Sequence, residues 1–149
     1  MSRRGVLCLT GGTGLAGRGV LATNPGDYEV VSVHRRRYTA NETGARQVIL
    51  DVRDREAVER LFRRYQFDVV VHAAGNANVD DAQAHYAESW ASNLLGTYHI
   101  ARACQRAEAH LIYVSTNAVF DGTAPPYRES DSVRPINAYG HLKVECERL

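Results

Sequence analysis

Five short apolar runs recur along the chain, and segments of helical character separate them. The runs span residues 5–9, 29–33, 47–51, 68–74 and 110–115. Each run is too short for a typical helix and is rich in β-branched side chains, so each is predicted to be a strand. Strands that alternate with helices form βαβ units, in which the next strand lies parallel to the previous one. The pattern therefore predicts a doubly wound α/β domain built on a parallel sheet.

Three helical segments lie between or beside these strands. The first begins within residues 14–22, directly after the first strand. The second follows Asp54, a plausible N-cap, and has apolar residues at positions 57, 58, 61 and 62. The third is predicted as one long helix over residues 86–107. Residues 120–137 are rich in proline, aspartate, serine and glycine, which indicates a long functional loop.

The overall composition excludes several classes of protein. With 149 residues, 44% of them hydrophobic, the chain is long enough for one domain with a sizeable core. Its formal net charge of +1 comes from 18 basic and 17 acidic residues, so it lacks the basic field that nucleic acid or an anionic membrane would require. We therefore expect neither nucleic acid nor a membrane as a partner.

The cysteines and histidines show no pattern of disulfides or of a metal site. Cys8, Cys104 and Cys146 are odd in number and far apart in sequence, which favours a reducing compartment. The six histidines show no His-x-x-x-His spacing. The first apolar run is only five residues long, too short for a signal peptide or a membrane span. We therefore expect no metal and a cytoplasmic location.

Glycine clusters where the first strand passes into the first helix. The segment TGGTGLAG, residues 10–17, contains Gly11, Gly14 and Gly17 at intervals of three. A tight turn there needs a positive φ and no Cβ, and the following helix N-terminus favours an anion such as a pyrophosphate. A glycine-rich turn without a ligand is the alternative. Because strand, turn and helix occur in the order that a dinucleotide site requires, the cluster predicts such a site.

Several motifs occur in the same order as in a known family. They are TGGTGLAG, DVVVHAAGNANVDDAQ, SNLLGTYHIARACQ, VSTNAVFDG and YRESDSVRPINAYGHLK. In these motifs the chain resembles the extended short-chain dehydrogenase/reductase family, or NAD-dependent epimerase/dehydratase superfamily, and is most similar to its dTDP-4-dehydrorhamnose reductase type. The resemblance implies a Rossmann-type sheet in strand order 3-2-1-4-5, a nucleotide-sugar substrate, and a homodimer in the full-length enzyme.

The resemblance also assigns residues to the cofactor site. Those in the glycine turn, at the ends of the third and fourth strands, and in the last helix are Gly11, Thr13, Gly14, Leu15, Gly17, Asp51, Val52, Ala73, Ala74, Gly75 and Lys143. Asp51 resembles the aspartate that contacts adenine in the family. Its alternative role is to cap the next helix, for which Asp54 is better placed.

The basic turn after the second strand bears on the choice of cofactor. An acidic residue there would bind the ribose hydroxyls of NAD(H), whereas arginine would pair with the 2′-phosphate of NADP(H). The chain has His34 at this point, followed by Arg35, Arg36 and Arg37. We therefore predict that Arg35 and Arg36 contact NADP(H), with NAD(H) as the alternative cofactor. A solvated basic turn is the alternative role for the arginines.

Tyr139 and Lys143 are four residues apart, which places both on one helical face. A phenol with an ordinary pKa of about 10 is a poor acid or base at neutral pH, and a nearby ammonium favours its phenolate. Lys143 is the only lysine among the 18 basic residues, which suggests that this position needs a compact point charge. The pair is therefore predicted to be catalytic, and the ammonium can also bind the nicotinamide ribose.

Thr116 and Asn93 complete the predicted catalytic set. The resemblance implies that Thr116 hydrogen bonds the reacting oxygen and that Asn93 anchors a proton-relay water. The alternatives are a strand-end hydroxyl that satisfies the backbone, for Thr116, and an amide on a helix surface, for Asn93. Ser115 is the competing hydroxyl, but strand alternation should turn it to the opposite face.

Together with these features, the resemblance implies an NADP(H)-dependent oxidoreductase that reduces a 4-keto-6-deoxy sugar nucleotide. Dehydratases of the family carry Thr-Asp-Glu where this chain has Thr116, Asn117 and Ala118, so dehydration is disfavoured. Rhamnose-type reductases carry Asp and Tyr after the threonine, which this chain lacks, so the sugar stays open. The alternatives are a nucleotide-sugar 4-epimerase and a non-catalytic dinucleotide-binding regulatory protein on the same fold.

The length of the chain leads to one more expectation. Complete members of the family run to about twice this length and build a substrate lobe from the second half. We therefore expect residues 1–149 to form the dinucleotide-binding domain without that lobe, and to be inactive alone. The last helix should pack through Leu142, Cys146 and Leu149, and the fifth strand should remain an edge that favours self-association.

Overall fold

Five strands form one parallel sheet in the structure, a computed structural model that describes residues 5–23, 26–37 and 44–149. The strands are β1 (Gly5–Thr10), β2 (Tyr28–His34), β3 (Arg46–Ile49), β4 (Val69–His72) and β5 (His110–Tyr113). They lie in the order β3-β2-β1-β4-β5, and every adjacent pair is parallel. The predicted fold class and strand order are confirmed. The charged start of the chain, residues 1–4, lies outside the described residues.

Helices connect β1 to β2, β3 to β4 and β4 to β5, and they cover both faces of the sheet. They are α1 (Leu15–Thr23), α2 (Arg55–Arg64), α3 (Val79–Ala84), α4 (Tyr86–Ser89), α5 (Gly96–Ala107) and α6 (Ala138–Glu147). A π-helical segment, Trp90–Leu95, joins α4 to α5, and a 3-10 helix spans Asn117–Val119. Asp54 caps α2 as predicted, because its carboxylate accepts a 3.0 Å hydrogen bond from the Ala57 amide.

Residues 86–107 do not form the single regular α-helix that the sequence predicted. Trp90–Leu95 has π-helical bonding, and the Gly96 amide at its end bonds to the Ala91 carbonyl five residues back. A π turn holds one residue more than an α turn, so α4 and α5 are out of phase by one residue. The buried residue of the segment is Asn93, which is 3% exposed.

The core lies on the two faces of the sheet, and alternation along β1 assigns its side chains to one face or the other. Cys8 packs with Val31 and Ile100 on the face that α2 and α5 cover, and all three are fully buried. Leu9 lies on the opposite face, where Val20 of α1 packs. Each large apolar side chain buried in this way contributes about 1.5–3 kcal/mol. This two-sided core holds the carboxyl ends of the strands in one row.

The last strand and the end of the chain are more exposed than the core. Leu142 and Cys146 of α6 are buried, whereas Leu149 is 54% exposed because α6 ends at Glu147. The predicted three-residue stripe therefore has only two buried members. Among the described strands, β5 pairs with β4 alone, and its Ile112 is 46% exposed. In the described part of the chain, no helix has the length and apolarity that a membrane crossing requires.

Candidate dinucleotide site and catalytic cluster

A cleft of about 480 Å³ lies at the carboxyl ends of strands β1 to β4. Ligands of open parallel sheets bind at this edge, and the volume falls in the usual range for small-molecule sites. Nine predicted cofactor residues line the cleft: Gly11, Thr13, Gly14, Arg35, Asp51, Val52, Ala73, Ala74 and Gly75. The other four, Leu15, Gly17, Arg36 and Lys143, are not part of its lining. Leu15 instead faces solvent and is 86% exposed.

The glycine turn meets the β4–α3 loop, residues 73–78, at one side of the cleft. Gly11 has a φ of 75°, a left-handed conformation that favours glycine. A Cβ at Gly11 would lie only 2.6 Å from the Ala73 carbonyl oxygen, so the two segments approach because no side chain separates them. Gly17 serves a different purpose, since a Cβ there would lie 2.6 Å from the Cα of Gly12. It allows α1 to pack on the turn.

Charged side chains of both signs line the cleft beyond β2 and β3. The Arg53 guanidinium donates to the Asp51 carboxylate, from Nη2 to Oδ2 at 2.6 Å and from Nε to Oδ2 and Oδ1 at 2.9 and 3.0 Å, and the Arg53 amide donates to Oδ1 at 3.0 Å. This bonding lowers the pKa of Asp51, so its carboxylate stays ionised. Arg35 contributes a second cation to the lining, whereas burial lowers the pKa of the neighbouring His34. Arg53 was not predicted, although its Asp-x-Arg spacing after β3 was an available signal.

The β4–α3 loop is fixed by side chains from outside the cleft. The Asn76 amide donates to Asn93 Oδ1 at 2.6 Å, and Asn93 Nδ2 donates back to the Asn76 carbonyl at 2.9 Å. Gly75 has a φ of 150°, and a Cβ there would lie 2.9 Å from Asn93 Oδ1. Asn93 therefore is not an amide on a helix surface. The π-helical segment turns it inward, where its amide bonds the loop.

Several polar residues of the cleft wall were not predicted from the sequence. Asp81, Glu88, Ser89 and Ser92 come from α3, α4 and the π-helical segment. Asn76 Nδ2 joins two of them, since it donates to Asp81 Oδ2 at 2.5 Å and to Ser89 Oγ at 3.0 Å. Asp81 and Ser92 lie within two of the family motifs, but no role was predicted for them, and Glu88 and Ser89 lie outside the motifs. Helical side chains reach a cleft only through the angle at which their helices pack, which the sequence does not specify.

A buried histidine lies beneath the loop. His72, at the end of β4, is 0% exposed, and its ring nitrogens lie 2.6 Å from Thr10 Oγ1 and 3.0 Å from Thr97 Oγ1. Burial, and after it the charge of Lys143, lowers the pKa of His72 to about 4. His72 is therefore neutral at physiological pH. Within the described residues, no group of His, Cys, Asp or Glu side chains is arranged to hold a metal ion.

Tyr139 and Lys143 both lie on α6, and each is 9% exposed. Lys143 Nζ donates to the Val114 carbonyl at 2.5 Å and lies 4.2 Å from the centre of the Tyr113 ring. Burial lowers the pKa of Lys143, and the nearby Cys146 and Glu147 partly offset this effect. The ammonium is thus held just after β5, between the sheet and the helix that carries Tyr139.

Thr116 lies next to this helix and caps the 3-10 helix. Its hydroxyl oxygen accepts a 3.2 Å hydrogen bond from the Ala118 amide. The 3-10 helix packs closely on α6 at Gly140, where a Cβ would overlap the Ala118 carbonyl oxygen. The structure therefore brings the Thr116 segment and the Tyr139 helix together. Because β5 ends at Tyr113, strand alternation does not govern Ser115, whose hydroxyl donates to the Glu147 carboxylate.

Comparison with known families assigns the chain as a whole. The family model described as the RmlD substrate binding domain matches residues 5–149. The chain belongs to this family. The family predicted from the motifs, with its dTDP-4-dehydrorhamnose reductase type, is thereby confirmed.

Curated relatives and a solved structure show how this RmlD-family chain compares. Methionine adenosyltransferase 2 subunit beta of Xenopus laevis is 33% identical over 147 residues, 99% of this chain and 42% of that protein. dTDP-4-dehydrorhamnose reductase of Mycobacterium tuberculosis is 39% identical over 103 residues, 66% of this chain and 33% of that protein. The reductase of the same name from Bacillus anthracis, solved with NADP, is 25% identical with a TM-score of 0.86, and the match covers 99% of this chain and 49% of that one. The chain spans less than half the length of each of these proteins.

Proposed function

We propose that this chain binds NADP(H) and supplies the proton-transfer residues of a reductase that acts on a keto group of a nucleotide sugar. The observation that carries this proposal is the placement of Lys143. The only lysine of the chain is 9% exposed, lies one helical turn after Tyr139, and donates a 2.5 Å hydrogen bond to the Val114 carbonyl. Burial of an ammonium costs free energy, and the nearby Cys146 and Glu147 offset this cost only in part. A position that served only packing would favour an apolar side chain.

The cleft residues fit a nicotinamide dinucleotide. Gly11, Gly14 and Gly75 leave the lining free of side chains where an extended ligand would lie, and the N-terminus of α1 favours a pyrophosphate. Asp51 would contact the adenosine, and Arg35 would pair with a 2′-phosphate, which favours NADP(H) over NAD(H). The NADP bound to the Bacillus anthracis reductase supports this assignment.

When bound, the cofactor would supply the hydride that a keto carbon receives. The residues of this chain manage the proton: Tyr139 donates it to the reacting oxygen, and the Lys143 ammonium stabilises the phenolate that remains. Thr116 hydrogen bonds the same oxygen, and Asn93 supports the proton relay. We propose a 4-keto-6-deoxy sugar nucleotide as the substrate, because two of the compared proteins are named dTDP-4-dehydrorhamnose reductase.

Titration with NADPH and NADH tests the cofactor assignment. We expect NADPH to bind about tenfold more tightly, since its additional phosphate can form charge-assisted hydrogen bonds with Arg35. Arg35→Asp should narrow or reverse the difference. Arg36→Asp changes the charge equally at a residue outside the cleft lining, and should preserve most of the difference. Equal affinities of the unaltered chain at low salt would contradict the preference.

Turnover tests the catalytic assignment. NADPH absorbance is followed with 4-keto sugar nucleotides, in this chain and in any longer protein that contains it. Tyr139→Phe should lower turnover by about 100-fold or more, because the proton donor is lost, while NADPH affinity stays within about twofold. Unchanged turnover in Tyr139→Phe would rule out the proposed role of Tyr139.

A second candidate function has separate support. Methionine adenosyltransferase 2 subunit beta matches 99% of this chain, compared with 66% for the Mycobacterium tuberculosis reductase. The chain would then be a dinucleotide-binding subunit of an enzyme assembly, and its cleft would hold NADP(H) without turnover. Coelution with a methionine adenosyltransferase catalytic subunit, together with no NADPH consumption by keto sugars, would favour this candidate over the reductase.

A further inference from the structure

A buried series of hydrogen bonds begins at the cofactor cleft. The Ala74 amide in the cleft lining donates to Thr10 Oγ1 at 3.2 Å. Thr10 Oγ1 lies 2.6 Å from His72 Nδ1, and His72 Nε2 lies 3.0 Å from Thr97 Oγ1. The three side chains of this series, Thr10, His72 and Thr97, are 0%, 0% and 2% exposed. Because water has almost no access, each of these groups depends on the others for its hydrogen bonds.

The series continues from Thr97 to the helix of Tyr139. The Thr97 hydroxyl donates a short hydrogen bond to the Asn93 carbonyl, and Cys146 Sγ donates to the same oxygen at 3.3 Å. Cys146 lies on α6, three residues after Lys143. The cleft lining and the catalytic helix are thus connected through one set of buried polar groups.

Donors and acceptors fit along this series in one direction only. A carbonyl oxygen can only accept, so Thr97 uses its single hydroxyl proton on Asn93 and must accept a hydrogen bond from His72 Nε2. Nε2 therefore carries the proton of the neutral imidazole, and Nδ1 accepts the hydroxyl proton of Thr10. The oxygen of Thr10 is left to accept from the Ala74 amide. A single tautomer of His72 satisfies every member.

We propose that His72 is a positioning residue whose single tautomer orients the Thr10 hydroxyl and thereby holds the Ala74 amide in the geometry that the cofactor cleft requires. Residues 73–75 are part of the cleft lining and His72 is not. His72 therefore acts on these residues through Thr10. The importance of the cleft for dinucleotide binding rests on the function proposed above. The hydrogen bonds of the series are present whether or not the chain binds a dinucleotide.

The proposal predicts an effect between residues that do not share a hydrogen bond. Within the described residues, the hydrogen bonds that connect Thr97 to Ala74 pass through His72 and Thr10. Thr97→Val keeps the side-chain shape and removes the hydroxyl. Either position of the imidazole proton then leaves a buried donor unpaired, so the single tautomer and the fixed orientation of Thr10 are lost.

Amide hydrogen exchange in the ligand-free chain measures this effect. Exchange at Ala74, relative to the core amide of Val31, should rise about five- to tenfold in Thr97→Val, the factor that corresponds to one neutral hydrogen bond. Thr97→Ser restores the hydroxyl and should exchange like the unaltered chain. Nitrogen NMR of the unaltered chain should show the His72 proton on Nε2. A proton on Nδ1 would overturn the proposal.

Leu61→Ala is the matched control for a general loss of stability. Leu61 is 4% exposed, packs in the core beneath α2, and makes no hydrogen bond in the series. The Leu61→Ala substitution should lower the free energy of unfolding without raising the exchange at Ala74 relative to Val31. Unaltered relative exchange in Thr97→Val, as in Leu61→Ala, would show that His72 only packs, and would overturn the proposal.

NADPH titration separates this proposal from the function on which it draws. Thr97→Val should weaken NADPH binding about fivefold, and Leu61→Ala should leave it unchanged. Failure of the unaltered chain to bind NADPH would refute the proposed function. A rise in relative exchange at Ala74 in Thr97→Val would support the positioning role even in that case. Equal NADPH affinity in the unaltered chain and in Thr97→Val would count against the positioning role of His72.

Discussion

Lys143 combines favourable contacts with an unfavourable environment. Its ammonium donates to the Val114 carbonyl at 2.5 Å and lies 4.2 Å from the centre of the Tyr113 ring, and both contacts favour a cation. The side chain is nevertheless only 9% exposed, and burial lowers the pKa of Lys143. Desolvation therefore offsets part of what the contacts contribute. A residue in this balance supports binding or catalysis at some cost to stability.

The Lys143→Met substitution separates the effect of Lys143 on stability from its effect on cofactor binding. Methionine has a similar length and no charge, so it preserves packing and removes the desolvation cost. We expect the free energy of unfolding to stay unchanged or to rise by about 1 kcal/mol, while NADPH binding weakens about tenfold. Lys143→Arg keeps the charge but should lower both the free energy of unfolding and the affinity for NADPH. The reason is that a planar guanidinium does not fit a site made by one carbonyl and one ring face. Urea unfolding and NADPH titration measure the two quantities, and equal loss of stability in both variants would argue against this account.

Individual side-chain partners were the hardest feature to predict from the sequence. The sequence identified Asp51 and Asn93 as polar residues of the site, but not that Arg53 would bind the first or that Asn76 would bond the second. Such pairs depend on rotamers and on the angles between elements, which no spacing in the sequence specifies. Thr116 is similar, because its bond to the Ala118 amide depends on the 3-10 helix that follows.

The strands and their order could be predicted because their signals are strong and local. Each strand is a short apolar run, and parallel strands with right-handed crossovers allow few arrangements. The π-helical segment Trp90–Leu95 was missed, since a shift of one residue hardly alters the periodicity of a long helical pattern. Sequence patterns therefore predicted which elements exist better than how one helix continues into the next.

The close approach of α6 to the 3-10 helix depends on Gly140. A Cβ there would overlap the Ala118 carbonyl oxygen and lie 2.9 Å from Pro135 Cβ, so Gly140→Ala must push the Tyr139 helix away. We expect it to lower the free energy of unfolding by about 2 kcal/mol or more. Gly19→Ala in α1 is the matched control, because a Cβ there has open space, and it should raise the free energy by about 0.5–1 kcal/mol. Urea unfolding compares them, and similar shifts at both sites would be inconsistent with the close packing at Gly140.

For the molecule as a whole, the parallel sheet explains why most of the cleft could be predicted. Segments that are distant in sequence, such as the glycine turn and residues 73–75, meet because the strands end along one edge. The sheet does not determine which helical residues reach the cleft, and some predicted cofactor residues do not line it. Gly17 packs beneath the turn and Leu15 faces solvent, and both lie on a helix whose rotation the sequence does not specify.

The buried His72 makes the stability of the whole chain depend on pH. Its pKa falls from an ordinary 6.5 to about 4 in the folded chain, chiefly because of burial. The unfolded chain therefore takes up a proton near pH 6.5 that the folded chain does not accept until about pH 4. This contribution to stability is complete above pH 6.5 and is lost as the pH falls towards 4. The difference corresponds to a free energy on the order of 3 kcal/mol.

Urea unfolding between pH 7 and about pH 4 measures this loss. His72→Gln cannot titrate in this range, so its free energy of unfolding should change less with pH than that of the unaltered chain. His85→Gln is the control, because His85 lies at the surface with its side chain 60% exposed. The free energy of unfolding of His85→Gln should depend on pH as steeply as that of the unaltered chain. Parallel curves for the unaltered chain and His72→Gln would exclude His72 as the source.

The π-helical segment gives the chain one place where its length can change. Because Trp90–Leu95 holds an extra residue in its turn, deletion of Leu94 would restore regular α-helical bonding and leave α4 and α5 facing their present neighbours. Deletion of Ala101 within α5 would instead rotate the rest of that helix by about 100° and move Cys104 out of the core. We expect the first deletion to keep a cooperative thermal transition, measured by circular dichroism, and the second to abolish it. A gene for this protein could therefore lose a codon at this point of the helix and still encode the same fold.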